Sequence, residues 1–335
     1  MNFKIAALLA ALAFQTGVAQ AEGNPAGAPA TREFEFTYKA WVHDVPKGVQ
    51  TFDLWVPIAH ATDQQEIELI LESVPPGAQI ATEPKYGNQI LYKRFTAPFD
   101  DDIGLELRYR VKRHEVVSRE AKRMEATSEI PSRQEVEKFL RPNVLVPVDG
   151  EVRSLALSLE LTGGNPIKTG RKVYDHVLET MTYDKSTPGW GRGDVLWACD
   201  SRTGNCSDFH SVFIALNRSQ KIPAYFEIGF PLPADKTEGT VSGYHCWAWF
   251  EAGDAGWVPV DISEADKNSE LSEYYFGALS ADRLSFTVGR DLTLVPPQQG
   301  PPLNFFVYPY AELDGKPFEG MKKAFSFRDV QGEGN

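Results

Sequence analysis

Residues 204–213 read Gly-Asn-Cys-Ser-Asp-Phe-His-Ser-Val-Phe, and they hold one of the three cysteines in a chain of 335 residues. A polar, glycine-bearing loop gives way here to an apolar run. The spacing predicts a helix whose first residue is Cys206. Asn205 is a good N-cap residue, and Asp208 at the third helical position makes a capping box with a shorter acid than usual. Phe209, Val212, Phe213 and Leu216 supply the stripe that docks the helix. A thiolate at Cys206 then faces unpaired backbone N–H groups and the positive helix end, which lowers its pKa. The same N–H groups suit a developing oxyanion. The plainer reading of such a cysteine is a buried, inert thiol, so the base decides.

His245, in Tyr-His-Cys-Trp-Ala-Trp-Phe at 244–250, is the best base. Strand alternation puts His245, Trp247 and Trp249 on one face and Cys246, Ala248 and Phe250 on the other. In the next strand, Trp257, Pro259 and Asp261 share a face, and EAGDA between the two is a hairpin loop. Pairing Trp249 with Trp257 places Asp261 opposite His245, with Cβ atoms about 4.5–5.5 Å apart. A carboxylate then holds one imidazole nitrogen while the other faces the nucleophile. His210 lies one helical turn after Cys206 and competes for the base role, but no strand carboxylate accompanies it. Cys246 points away from the His245 face and is rejected as nucleophile.

GNCSDFHSVFIALNRSQKIPAYFEIGF, then GYHCWAWF, then GWVPVDIS, resemble in order the three motifs of the transglutaminase-like superfamily, relatives of papain-type cysteine proteases. The resemblance covers roughly residues 165–265 and implies an α+β fold with the cysteine helix packed on an antiparallel sheet. It implies Cys206 as nucleophile, His245 as general base and acid, and Asp261 as orienting carboxylate. Where many members have Asp-Pro-Thr, this chain has Asp261-Ile-Ser, which alters the local turn and not the carboxylate. The family also places an upstream side chain near the oxyanion, and Tyr183, Trp190 and Trp197 all fit. Neither a metal nor a cofactor is carried over. A zinc site built from Cys199, Cys206, His210, His245 and Cys246 would lack the paired spacings that structural zinc uses.

The first 21 residues have a basic Lys4, an apolar stretch at 5–14 too short to span a bilayer, and an Ala-Gln-Ala site ending at Ala21. They read as a secretory signal peptide, so the mature protein is expected to be periplasmic or secreted. No other apolar run approaches membrane-spanning length. An oxidising compartment leaves an odd cysteine over, and Cys199 with Cys246 is the natural disulfide. The formal net charge is −12, or −13 once Lys4 is removed with the leader. That balance excludes nucleic-acid binding through a basic footprint. The stripe at 108–114, RYRVKRH, reads as the wet side of a strand.

The chain divides into a leader at 1–21, a flexible lead-in at 22–31, a β-rich domain at 32–117, a linker with a helix at 118–164, the catalytic domain at 165–295 and an extension at 296–335. Alternating runs with turns at VPKG, PPGA and PFDDD define the β-rich part. PIKTGRKVYDHVLETMTYD has helical periodicity and PAYFEIGF reads as a strand. GWGRGD at 189–194 reads as an ordinary surface turn, with a flexible loop bordering the cleft as the alternative, and the tryptophans at 247, 249 and 257 suit a cleft or a core equally. The expected function is acyl transfer through a Cys206 thioester, with peptide or amide hydrolysis favoured. The alternatives are amine transfer onto glutamine side chains in proteins, and a binding or scaffold protein with an idle triad. A protein or peptide substrate follows from the first reading.

Overall fold

The structure is a computed structural model that describes residues 30–123, 134–162 and 164–330. The leader and nearly all of the lead-in lie outside the described residues. Period-two alternation builds the N-terminal part. Strand Thr31–His43 buries Phe34, Phe36, Tyr38 and Ala40 on one face. It pairs antiparallel with Asp102–His114 on one side and with Lys322–Asp329 on the other. A second five-stranded sheet runs in the order Lys316–Phe318, Tyr310–Leu313, Thr51–Ile58, Gln89–Thr96, Gln79–Thr82. The last strands of the chain therefore complete both sheets begun by the first, and the sequence reading missed the long strand Lys322–Asp329. Arg113 departs from the wet stripe: it is fully buried and its Nη1 donates to Gln65 Oε1 at 3.4 Å.

The catalytic region is α+β, as the resemblance implies. Helix Pro166–Thr180 starts at Asn165, whose side chain caps Lys168 N, with Pro166 in the first turn. A short helix, Val195–Ser201, precedes the cysteine helix Cys206–Ser219. The cysteine helix lies against a four-stranded antiparallel sheet ordered Trp257–Val260, His245–Glu251, Ala224–Pro231, Arg283–Val288. The sheet's other partner is the N-terminal part. Phe230 and Phe286 pack against Phe36 and Tyr38 of the first strand at centroid distances of 5.3–6.2 Å. Gln65 binds Ser285 like a strand partner, accepting from its N–H and donating to its carbonyl, both at 3.0 Å. One continuous core thus joins the N-terminal strands to the cysteine helix and the sheet it packs on.

Candidate active site

Cys206 is the first residue of its helix, and the capping box is complete. Asn205 Oδ1 accepts from Ser207 N at 2.8 Å, and Asn205 N donates to Asp208 Oδ2 at 2.9 Å. Asp208 does more than cap. Its two oxygens also accept from Gly191 N at 2.7 Å and Gly193 N at 2.9 Å. The GWGRGD stretch is therefore not an ordinary surface turn but a loop tied to the start of the cysteine helix. Gly193 has φ +60, and a Cβ there would stand 2.4 Å from Ser211 Oγ, so this close approach requires glycine. Arg290, buried in a segment with no motif to betray it, clamps the same loop through the carbonyls of Gly193 and Arg192 at 2.9 and 2.6 Å.

His245 Nε2 bonds Asp261 Oδ2 at 2.7 Å, and both residues are buried. The register that brings them together is not the expected one. Trp249 pairs with Pro259 and Glu251 with Trp257, a shift of two residues. Asp261 sits just past the strand end, diagonal to His245 and not opposite it. It is free to turn inward because it N-caps the helix Ile262–Lys267, accepting from Glu264 N at 3.2 Å through Oδ1. The Ile-Ser that follows Asp261 is the start of that helix. Arg283, which the sequence did not single out, donates to the same Oδ2 at 3.0 Å. Its guanidinium rests 4.9 Å from the Trp247 ring centre.

The electrostatics favour an ion pair. Burial alone would push the Cys206 thiol up, but hydrogen bonds with Cys246 and His245 and the two nearby imidazoles outweigh it and hold the thiol well below its ordinary value. Burial likewise opposes the His245 charge, yet Asp261 and Cys206 raise this imidazole to about 10. Asp261, despite its burial, is kept far below the usual carboxylate range by His245, Arg283 and His210. With Nε2 on Asp261, His245 Nδ1 is the nitrogen left for the thiol. His210 is the weaker base: burial drops it to about 4. It does approach a carboxylate, lying 3.8 Å from Asp261 Oδ1, and its Nε2 accepts from Ile262 N at 3.0 Å.

The expected Cys199–Cys246 disulfide does not form, and all three cysteines are free. Cys246 lies on the helix face of its strand, 3.8 Å from Ser207 Oγ and 3.7 Å from His210 Nδ1. Cys199 lines a separate cavity of about 230 Å³ with Val152, Leu155 and Met181. The alternation that turned Cys246 away from His245 is right, and it turns Cys246 toward the first turn of the cysteine helix. Of the proposed oxyanion side chains, Tyr183 runs beside Gly204, Trp197 packs under Gly189, and Trp190 is 38% exposed. Tyr244, which the sequence did not put forward, bonds Asn205 Nδ2 at 2.9 Å and Ser207 Oγ at 3.1 Å. Trp247 and Trp249 are core: both indoles donate to the buried Glu227.

Residues 153–262 match the model of the transglutaminase-like superfamily. An uncharacterised protein of Haemophilus influenzae is 28% identical over 324 residues, spanning 86% of this chain and 88% of that one. The fold resembles a crystal structure of a candidate cysteine protease from Cytophaga hutchinsonii, with a TM-score of 0.56, 13% identity and coverage of 91% of this chain and 93% of that one. No helix among the described residues is long and apolar enough to cross a membrane. Residues 153–262 are therefore the transglutaminase-like part of the chain.

Proposed function

We propose that this is an exported, cysteine-dependent acyl-transfer enzyme that hydrolyses peptide or amide bonds through a Cys206–His245–Asp261 triad. The observation that carries the reading is the buried 2.7 Å bond from His245 Nε2 to Asp261 Oδ2, with the Cys206 thiol at the remaining ring nitrogen. The thiolate attacks the carbonyl carbon. The developing oxyanion meets the Cys206 N–H, which as the first helical N–H has no intrahelical acceptor. The imidazolium gives its proton to the departing amine, leaving a thioester. Water, deprotonated by the now neutral His245, then attacks the thioester and releases the acid. Asp261 stays ionised throughout and holds the ring.

Cys206 and His245 are 2% and 5% exposed, so an extended peptide or a side-chain amide reaches the sulfur more readily than a bulky group. Export is supported by the leader-like first 21 residues. The test incubates mature protein with a peptide library, with and without a primary amine, and analyses products by mass spectrometry. Free acid that disappears in Cys206→Ala supports hydrolysis. Peptide–amine conjugate in preference to acid would make the enzyme a transferase, and no acyl-enzyme with any peptide would point to a binding protein.

A further inference from the structure

Arg283 bonds the carboxylate of Asp261 and has no step in the mechanism above. It opens the strand Arg283–Val288, and two strands lie between it and the strand that ends at Val260. Its guanidinium still reaches across the Trp247 ring to Asp261, where Nη1 donates to Oδ2 at 3.0 Å. Oδ2 is also the oxygen bonded to His245 Nε2 at 2.7 Å. The other oxygen is taken by neutral donors, Glu264 N at 3.2 Å and Ser263 Oγ at 3.3 Å. Among the described residues Asp261 is the one carboxylate that Arg283 bonds. Adjacent Asp282 is held by Arg32 at 2.7 Å, and Arg283 Nε is buried without a partner. The charge of the guanidinium is therefore directed at Oδ2. We propose that Arg283 is a positioning residue: by sharing Oδ2 it fixes Asp261 and offsets part of its pull on the imidazolium, so that His245 can release its proton. A buried imidazolium bonded to a lone carboxylate is a poor acid toward the departing amine and is slow to turn neutral for the water step. A guanidinium on the same oxygen stays charged throughout and weakens that hold. This rests on the triad reading and deepens it.

The other ionisable groups facing the pair come from every element around it. Cys206 and His210 belong to the cysteine helix, and His210 Nε2 is 3.8 Å from Asp261 Oδ1. Burial drops His210 to about 4, so it is neutral over the working range. Glu264, on the helix that Asp261 caps, lies 3.9 Å from His245 Nε2, and Lys267 holds it at 2.6 Å. Tyr174 and Tyr275 approach from two further helices, and burial pushes both up. All of these remain when Arg283 is replaced, so a shift at His245 reports the lost guanidinium.

The experiment follows the titration of His245 by NMR in full-length mature protein labelled at its six histidines, with the signal assigned by His245→Gln. Cys206→Ala serves as the parent, because it removes the thiolate, as acylation does, and brings the His245 midpoint down into an accessible range. In this parent the midpoint should stay above the ordinary value of about 6.5. Arg283→Gln keeps a donor for Asp261 and loses the charge, and Arg283→Met loses both and serves also where the Gln variant does not fold. Each folded neutral variant should raise the midpoint by about one pH unit, a tenfold tighter hold on the proton. Arg283→Lys keeps the charge and should stay within about threefold of the parent. An unchanged or lowered midpoint in the folded neutral variants would overturn the proposal and leave the triad intact. A Lys variant shifted as far as Met would reduce Arg283 to packing. A parent that titrates at the ordinary value would sink the triad reading and this proposal with it.

Discussion

The strand His245–Glu251 buries a carboxylate network on each side of its register, and the two differ. Past its start, Asp261 shares one oxygen between His245 and Arg283, a titratable partner and a fixed cation. On the tryptophan side, Glu227 takes the indoles of Trp247 and Trp249 and the hydroxyl of Ser285, all neutral donors. Both acids are buried and fully engaged. Only the first is bonded to a side chain that titrates near neutral pH in its free state. Burial of a carboxylate therefore says little about chemistry, and the ionisation of what it touches says more. The tryptophan side forms its own small core with Leu279, tied to the N-terminal part through Gln65 on Ser285.

The comparison can be broken in order of effect. Cys206→Ala should lower kcat by more than about 10⁴-fold with an unchanged melting temperature, read by steady-state hydrolysis beside a thermal scan. Asp261→Asn should cost about a thousandfold in kcat, because the amide presents the wrong group to Nε2. If it cost less than about tenfold, the Asp261 side would be no more catalytic than the Glu227 side. Glu227→Ala should behave in the opposite way. It strands two indole N–H groups and should cost about 3 kcal/mol of stability, seen in denaturant titration, while kcat stays within about fivefold.

The smallest effect is in pH. His245 is raised from an unfolded value of about 6.5 to about 10 in the folded protein. Its contribution to stability is then fully present below pH ~6.5 and is lost as pH rises through about 10. The melting temperature of wild type should fall more steeply than that of His245→Gln across that window, read by thermal scans at stepped pH. Equal slopes would mean that the imidazole is not held charged. Asp261 has the reverse sign, with stability present above its unfolded value and lost as acid protonates it.

Much of the site was legible because it is local. The capping box at Asn205 and Asp208, the apolar stripe of the cysteine helix and the alternation around His245 each depend on residues a few positions apart. Register was misread because two tryptophans invited pairing, while the strand ends earlier and Asp261 turns off as a helix cap. The disulfide was misread because parity and compartment say nothing of distance. Arg283, Arg290 and Tyr244 carried no signal, since each acts across a gap of dozens of residues in the chain.

The sequence by itself determined the helix start at Cys206, the strand that bears His245 and the carboxylate that follows it, because capping and periodicity are short-range rules. The tertiary structure alone decided what surrounds them. It set which oxygen Asp261 shares with Arg283, brought Cys246 against Ser207 and His210, tied the glycine loop to Asp208 and returned the last strands to the first sheets. Those outcomes are settled by the packing of distant segments into one core, where satisfying a buried polar group depends on neighbours that sequence spacing does not specify.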